Sequence, residues 1–336
     1  MSTFANKSTQ ASATCKRALD YVFRSVCGFS GWSFRLLIPA PYRSCVATIQ
    51  VIEPRSVKIS TRTEIEIRRT IPHAQLNRIG AWVFLDHFGP TTQVDGMKVA
   101  AHPHTGLQTV TWLFEGAVDH RDSIGSEQTI RPGQLNLMTA GSGIAHSEKS
   151  LGGPAALHAV QLWLALPDAV RHMTPMFQHV EAPREVRIDS LLAKVFIGEL
   201  TGVKTEAVVF SELVGAELAL DGQVSLPLNK RWEHGILVVE GEIEIDGQPV
   251  RKDQLAYLAA GSGAVRIEAK NFVGILIGGA PFDEKIVMWW NFIGRSGDEI
   301  VAMREAWNER EYPEFTDELG GWIPAPELPN VTLRAR

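Results

Sequence analysis

Apolar and polar residues alternate over short stretches through most of the chain beyond residue 50, a pattern typical of half-buried β-strands. Turns that contain glycine or proline, such as Glu115-Gly116 and Arg131-Pro132-Gly133, separate these stretches. The predicted strands cover residues 57–59, 64–67, 82–85, 110–114, 117–120, 135–138, 158–166, 195–198, 207–210, 217–220 and 235–239. The pattern therefore predicts an all-β fold.

One helix is predicted near the end of the chain. Ser296 and the acidic residues behind it form a typical N-terminal cap, and Ile300, Met303 and Trp307 follow at helical spacing. We expect this helix to end near Arg310. The proline-rich segment after it is expected to be extended and to lie across the strands.

Two copies of one strand-rich unit occur along the chain. Residues 113–118 correspond to residues 238–243 through a shared Glu-Gly turn, and residues 134–143 correspond to residues 254–263 through a shared Ala-Gly-Ser-Gly corner. The turn residues agree as well as the apolar positions. The whole unit is therefore duplicated, which predicts two similar β-barrels in tandem.

The duplication and the charge pattern divide the chain into three parts. Residues 51–180 are assigned to the first barrel and residues 181–336 to the second. Residues 1–50 carry six Lys or Arg against one acid, and they contain all three cysteines, which are Cys15, Cys27 and Cys45. We expect a poorly ordered basic extension, with an organelle transit peptide as the alternative. Because residues 51–336 contain no cysteine, the barrels use neither disulfides nor thiolate ligands.

Composition and charge exclude several classes of function. The chain of 336 residues carries 33 Lys and Arg against 38 Asp and Glu, so its formal net charge of −5 gives no electrostatic basis for direct binding to nucleic acid or to an anionic membrane. No stretch approaches the roughly 20 apolar residues that a transmembrane helix needs. We expect a soluble, cytoplasmic protein.

Two pairs of polar residues form the candidate chemistry of the first barrel. His102 and His104 are two positions apart, as are His146 and Glu148, and such pairs point to the same face of a strand. If both pairs face one barrel interior, three imidazoles and one carboxylate meet. That set suits a divalent transition metal, and a six-coordinate ion would keep two positions open for water, substrate or dioxygen. The alternative is a pair of loop histidines and a solvated Glu148.

The second copy of the unit argues against that alternative. Arg266 stands where the first copy has His146, although Glu268 matches Glu148. A shift of 125 residues, which relates the two Glu-Gly turns, places Pro227 and Asn229 at the positions of the first histidine pair. All three histidines are lost together, as expected for ligands of one metal. The first barrel is therefore predicted to hold the site and the second to be scaffold.

Further residues are candidates for the surroundings of the site. His158 is predicted to line the same interior, and Trp112, Phe114 and Trp163 are candidates for an aromatic mouth near the metal. His87 lies in an apolar stretch, so we expect a hydrogen-bonded core residue, with a role next to a metal ligand as the alternative.

Several motifs together resemble the pirin family, over roughly residues 51–330. They are Asp86-His87-Phe88-Gly89-Pro90, His102-Pro103-His104-Thr105-Gly106, Glu115-Gly116, His120-Arg121-Asp122-Ser123, Arg131-Pro132-Gly133, Met138-Thr139-Ala140-Gly141-Ser142-Gly143-Ile144 and His146-Ser147-Glu148. The resemblance implies a bicupin fold, which consists of two jelly-roll barrels, with one mononuclear metal in the N-terminal barrel. It assigns His102, His104, His146 and Glu148 as the ligands.

The metal that the resemblance implies is usually iron, and Fe(II) is our expectation. A set of three His and one Glu would also accept Mn, Co, Ni, Cu or Zn. Many family members have Glu where this chain has Gln108. Since that position is not a ligand, the departure leaves the metal site intact but is expected to alter the polarity next to it.

Two functions follow from the resemblance as hypotheses. The first is a dioxygenase of the quercetin 2,3-dioxygenase type, with a small aromatic substrate and O2, in which Glu148 acts as both metal ligand and proton acceptor. The alternative is an iron-dependent regulatory protein that binds a transcription factor or a metabolic enzyme without turnover. A cupin-type oxygenase or isomerase with another small substrate is a third hypothesis.

Overall fold

A computed structural model of the chain describes residues 49–57, 65–91, 96–151, 157–313, 315 and 319–335. These residues are organised almost entirely in β-strands, with one α-helix among them, in agreement with the predicted fold class. The predicted extension up to residue 48, with its three cysteines and the transit-peptide alternative, lies outside the described residues. Residues 58, 59 and 64 of the predicted strands at 57–59 and 64–67 also lie outside them.

The first barrel is built from two sheets. One has seven strands in the order β12-β9-β6-β11-β4-β3-β2, and the other has four in the order β5-β10-β7-β8. The strands of the first barrel are β2 Arg55–Val57, β3 Ile67–Ile71, β4 Trp82–Thr91, β5 Lys98–His104, β6 Leu107–Glu115, β7 Val118–Asp122, β8 Glu127–Ile130, β9 Leu135–Thr139, β10 Ile144–Ser150, β11 Leu157–Ala165 and β12 Met176–Val180.

The second barrel repeats this arrangement with longer strands. Its nine-stranded sheet has the order β1-β19-β17-β20-β16-β14-β13, with β15 on β14 and β18 on β17. Each of the long strands β16 and β20 corresponds to two strands of the first barrel. A register shift in the pairing of β16 with β20 marks the junction between the two parts. The strands are β1 Ile49–Ile52, β13 Arg184–Ile188, β14 Leu191–Leu200, β15 Val203–Lys204, β16 Leu213–Pro227, β17 Glu233–Ile245, β18 Gln248–Val250, β19 Leu255–Leu258 and β20 Ala264–Gly279.

The two barrels share one apolar core at their interface. A single buried cluster contains Trp82 and Trp112 from the first barrel together with Phe196, Leu237 and Ile275 from the second. Strand β1 precedes the first barrel in the chain but pairs with β19 of the second. The domain boundary after residue 180 stays a prediction, although β12 pairs in the first barrel and β13 in the second.

The last part of the chain returns to the first barrel. It contains strands β21 Val287–Trp289 and β22 Phe292–Gly294 and helix α1 Gly297–Asn308, which begins at the predicted cap, where Ser296 Oγ accepts from the Glu299 N–H at 3.2 Å. Ile300 of α1 packs in one cluster with Ala145 of β10. Beyond the helix, the Ile323 N–H donates to the carbonyl oxygen of Ala101 on β5 at 2.8 Å. The described helix is too short and too polar to cross a membrane.

Candidate metal centre

Three imidazoles meet inside the first barrel, as the spacing predicts. His102 and His104 lie at the end of β5, and His146 lies opposite His102 on the neighbouring antiparallel strand β10. The ring centroids are 4.3 Å apart for His102 and His146, 5.0 Å for His104 and His146, and 5.1 Å for His102 and His104. Their exposed fractions are 8%, 2% and 1% in the order His102, His104 and His146. One nitrogen of each imidazole lies within 4.8 Å of the others.

Glu148 lines the same cavity but belongs to a second, overlapping group. Its carboxylate lies within 4.8 Å of ring nitrogens of His146 and His120, and His146 is the member that the two groups share. The register between β10 and β5 shifts between His146 and Glu148. The extra residue of this bulge lies in β5. Strand β10 pairs with β7 without a shift, and this pairing puts Glu148 directly opposite His120.

His120 is a residue that the sequence-based prediction of the ligand set missed. On β7 it pairs with Glu148 of β10, and its Nδ1 lies 3.3 Å from His146 Nδ1. His120 Nε2–H donates to Asp122 Oδ2 at 3.0 Å, so a neutral His120 has its lone pair on Nδ1. That lone pair can accept the Nδ1–H of His146, which leaves His146 Nε2 unprotonated for a metal.

Asp122 is itself held firmly at the start of this chain of hydrogen bonds. Its Oδ1 accepts the backbone N–H groups of Ile124 at 3.1 Å and Ser126 at 2.9 Å. Burial acts to raise the pKa of Asp122, but the hydrogen bonds from His120 and Ser126 outweigh it and lower the pKa below its usual value. Asp122 is therefore an ionised acceptor near neutral pH.

The donor set fits a divalent metal ion. His102 Nδ1–H donates to the carbonyl oxygen of Ala100 at 2.9 Å, which leaves Nε2 as the free lone pair. His104 Nδ1 and His146 Nε2 are buried without a hydrogen-bond partner among the described residues. Burial lowers the pKa of all three imidazoles, that of His102 to about 4, so they are neutral at pH 7. Buried neutral imidazoles with free lone pairs are what a metal ion such as iron or zinc binds.

A cavity of about 380 Å³ opens onto these imidazoles. Beside them, the rings of Phe84 and Trp163 stack at 3.9 Å with an interplanar angle of 9°. Trp163 also meets His104 edge to face at 5.1 Å. The cavity is lined further by Trp290 and other residues, which are Val57, Arg69, Pro72, Asp86, Phe88, Met97, Val99, Gln161, Met288, Asn291 and Ile323.

Of the three aromatic residues proposed for the mouth, only Trp163 lines this cavity. Trp112 is fully buried between the barrels, where its Nε1–H donates to Glu217 Oε2 at 2.9 Å. Phe114 lines a different cleft, of about 290 Å³, at the junction of the two barrels. The prediction that Trp112 and Phe114 line the mouth was therefore wrong, since both side chains lie on the face of β6 that points away from this cavity.

The prediction that His158 lines the metal cavity is also wrong. His158 and His87 point to the opposite face of strands β11 and β4, and their Nε2 atoms are 2.8 Å apart. Asp253 of the second barrel places Oδ1 2.8 Å from His87 Nδ1, although off the N–H direction. Burial lowers the pKa of both imidazoles, that of His158 to about 4. His87 is thus the expected buried core residue, at the junction of the barrels.

Gln108 does not set the polarity beside the imidazoles. Its side-chain amide donates to Thr139 Oγ1 at 2.9 Å and to the carbonyl oxygen of Val208 at 3.1 Å. Val208 belongs to the second half of the chain, so Gln108 joins the two halves. The described contacts of Gln108 therefore do not show the expected effect of this residue on the polarity next to the metal site.

The second barrel has different residues at the corresponding places. Strand pairing puts Ala264 opposite Pro227 and Arg266 opposite Ser225, so Ser225 and Pro227 take the positions of His102 and His104. The predicted pair, Pro227 and Asn229, was displaced by two residues, because the connection from β16 to β17 is longer than that from β5 to β6.

A larger cavity, of about 760 Å³, lies at the second barrel and is lined by Asn229, Trp232 and His234 among others. Among the residues that the structure describes, no group of His, Cys, Asp or Glu converges there as the ligands of a metal would. Cavity size alone therefore does not locate the chemistry, and the smaller cavity remains the candidate site.

Comparison with known proteins identifies the family of the chain. The Pirin family model matches residues 64–164, and the model of the pirin C-terminal cupin domain matches residues 213–313. A Pseudomonas aeruginosa protein named "Putative quercetin 2,3-dioxygenase" is 42% identical over 272 residues, which cover 79% of this chain and 86% of the relative. A pirin-like protein of Caulobacter vibrioides is 34% identical over 273 residues, with coverage of 78% and 94%.

A crystal structure of quercetin 2,3-dioxygenase from Acinetobacter baumannii superposes with a TM-score of 0.81 at 40% identity, covering 85% of this chain and 97% of that one. This similarity and the two matched domains confirm the predicted bicupin fold. The chain belongs to the pirin family.

Proposed function

We propose that the protein is a mononuclear metal-dependent dioxygenase that opens the ring of a flavonol or a similar aromatic enol with O2. The observation that carries the proposal is one cavity in which three neutral imidazoles and a carboxylate face a stacked aromatic pair. The names of the Pseudomonas and Acinetobacter relatives support this reaction class.

His102, His104 and His146 would hold the metal through ring nitrogens, with Glu148 as the fourth ligand. We propose Fe(II) as the resident ion, although the same donors also suit Mn, Co, Ni, Cu and Zn. A bound divalent ion supplies Lewis acidity and open coordination positions for the substrate and O2.

Glu148 is the proposed proton acceptor. A flavonol must lose the proton of its 3-hydroxyl before it can react as an enolate. Burial raises the pKa of Glu148, whereas coordination of a divalent ion would lower it. As one of the residues that line the cavity, Glu148 would take this proton beside the metal and keep it close to the substrate.

Phe84 and Trp163 are proposed to hold the aromatic rings of the substrate. Both side chains line the cavity next to His104, so a planar apolar ligand would be buried against them. Trp290 lines the same cavity from the turn between β21 and β22 and adds a further aromatic surface for the substrate.

Oxygen uptake with quercetin tests the proposal. The Fe(II)-loaded protein is expected to consume O2 and release carbon monoxide, and the double variant His102→Ala/His104→Ala is expected to do neither. Arg266→Ala, at the aligned position in the second barrel, serves as the control and should keep full activity. If the wild type retains iron yet consumes no oxygen with quercetin, flavonol cleavage is not its function, and partner proteins and other small substrates would be tested next.

A further inference from the structure

The wall of the cavity contains one charge-balanced row of polar side chains. Arg69 on β3 pairs in register with Asp86 on β4, and Asp86 pairs in register with Gln161 on β11. Because side chains directly opposite each other share a face of the sheet, all three reach the cavity. Arg69 Nε donates to Asp86 Oδ1 at 2.6 Å, and Arg69 Nη2 donates to Oδ2 at 2.7 Å.

We infer that this row, which we call the polar wall, selects substrates with a neutral phenolic hydroxyl over substrates with a carboxylate at the end remote from the metal. In this inference, which rests on the proposed function, Asp86 is the specificity-determining residue.

The charges that line the cavity support this selection. Among the described lining residues, Arg69 is the single Lys or Arg, and its charge is matched by Asp86 in a two-bond pair. A divalent metal beside Glu148 would leave one net positive charge, which one enolate neutralises. A second anionic group on the substrate would find no uncompensated cation and would approach the carboxylate of Asp86, a like-charge contact that disfavours binding.

Hydrogen bonding at the wall also fits a phenol. Gln161 Oε1 accepts from Thr111 Oγ1 at 2.9 Å, which turns the amide nitrogen of Gln161 toward the cavity as a donor. Asp86 keeps lone pairs beyond those that Arg69 occupies. A phenolic hydroxyl can donate to Asp86 and accept from Gln161 at once, whereas a carboxylate can only accept.

The aromatic stack connects the polar wall to the metal ligands. The Arg69 guanidinium lies 4.2 Å from the centroid of the Phe84 ring, Phe84 stacks on Trp163, and Trp163 contacts His104. Two aromatic rings therefore separate the wall from the imidazoles. A planar substrate that lies along this stack, with its enol at the metal, directs its remote end toward Arg69 and Asp86.

Equilibrium binding to the Zn(II)-loaded protein separates this inference from turnover. The probes are two matched pairs, in which 3-hydroxyflavone carries either a hydroxyl or a carboxylate at position 4′ or at position 7. In at least one pair, the wild type is expected to bind the hydroxyl compound at least about tenfold more tightly. Asp86→Asn, which leaves Arg69 uncompensated, is expected to reduce or reverse that preference by at least about tenfold.

Asp253→Asn is the matched control, since Asp253 contacts Arg68 at 2.9 Å outside the cavity, and it should leave the preference unchanged. If Asp86→Asn does not fold, Gln161→Leu is the second variant and should weaken binding of the hydroxyl compound alone. Equal preference in the wild type and the folded variants would overturn the polar wall while leaving the proposed function intact. Failure of every flavonol to bind the wild type would overturn both.

Discussion

Aligned strands of the two barrels place opposite faces toward the interior. In the first barrel, β10 directs His146 and Glu148 into the metal cavity. In the second, the aligned Arg266 and Glu268 form an ion pair at 2.6 Å, with side-chain exposures of 61% and 44%. The core there is filled instead by their neighbours Val265 and Ile267, which are 1% and 0% exposed.

The second barrel therefore differs from the first in two ways. It has other residues at the ligand positions, and the opposite face of the strand points to the interior. A shift of one residue in a strand moves every side chain to the other face of the sheet. Restoring a histidine at Arg266 would therefore place it in solvent rather than in the barrel. The Ala-Gly-Ser-Gly corner that both copies share does not determine which face of the next strand points to the interior. Among the described residues, only the first barrel has a converging set of candidate ligands.

The largest expected effect comes from removing an imidazole of the first barrel. His146→Ala deletes the imidazole that belongs to both ligand groups, so the metal affinity should fall by more than the roughly 10–100-fold typical of an outer-shell change. Chelator competition followed by metal analysis measures the affinity. Arg266→Ala is the matched change in the second barrel and should have no effect. An equal loss in both variants would contradict the difference between the barrels.

A packing change in the second barrel should affect stability but not metal binding. Ile267 is fully buried, so Ile267→Ala should lower the free energy of unfolding by about 2–5 kcal/mol. Arg266→Ala removes an exposed ion pair and an exposed hydrogen bond to Gln223, and it should cost less than about 1 kcal/mol. Urea denaturation measures both values. If Ile267→Ala instead reduced metal affinity and left stability unchanged, the interior of the second barrel would have been misassigned.

Asp122 should matter for metal binding although it is outside the ligand set. Asp122→Asn weakens the acceptor that fixes the tautomer of His120 and, through it, of His146, so affinity should fall by about 10–100-fold. Asp246 is the counterpart of Asp122 in the second barrel, since its Oδ1 accepts the backbone N–H of Arg266 at 2.9 Å. Asp246→Asn should leave metal affinity unchanged, and isothermal titration with Zn(II) would reveal the difference. Unaltered affinity in Asp122→Asn would rule out the proposed tautomer control.

The smallest expected effect concerns His87 and His158, whose imidazoles lie at the junction of the two barrels. Because burial lowers the pKa of His158 to about 4, the unfolded chain binds more protons than the folded one between about pH 6.5 and pH 4. The contribution of His158 is complete above that window and is lost as the pH falls. Between pH 7.5 and 5.5 the wild type should lose about 1 kcal/mol more stability than His158→Gln.

Urea unfolding at the two pH values measures this difference. His172→Gln, a change at an exposed position, is the control and should behave as the wild type does. Identical pH dependence in His158→Gln and the wild type would show that the His87–His158 pair is not linked to stability.

Residue alternation predicted much of the candidate site but could not predict contacts between strands. It correctly put His102 and His104 on one face, because that pair depends only on spacing along one strand. Their meeting with His146 followed from the added assumption that both pairs face one barrel interior. His120 escaped notice since its proximity to Glu148 depends on the register between β7 and β10. A further clue was present in the sequence, because Asp122 stands two positions after His120 and so shares its face.

The error at His158 shows the limit of the same argument. Trp163 faces the cavity, and His158 lies five positions earlier, so strict alternation already places the two side chains on opposite faces. The strand carries a bulge beside His158 as well. The helix cap at Ser296 was predicted closely because it depends on local chemistry, whereas the pairing of β1 with β19, across some 200 residues, left no local pattern to detect.

Anomalous diffraction from crystals of the Fe(II)-loaded protein, recorded at the iron absorption edge, tests the central claim most directly. The expected result is one peak per chain in the first barrel, about 2.0–2.2 Å from ring nitrogens of His102, His104 and His146. A peak at the second barrel, or a fully loaded protein whose iron lies away from these three imidazoles, would contradict the assignment.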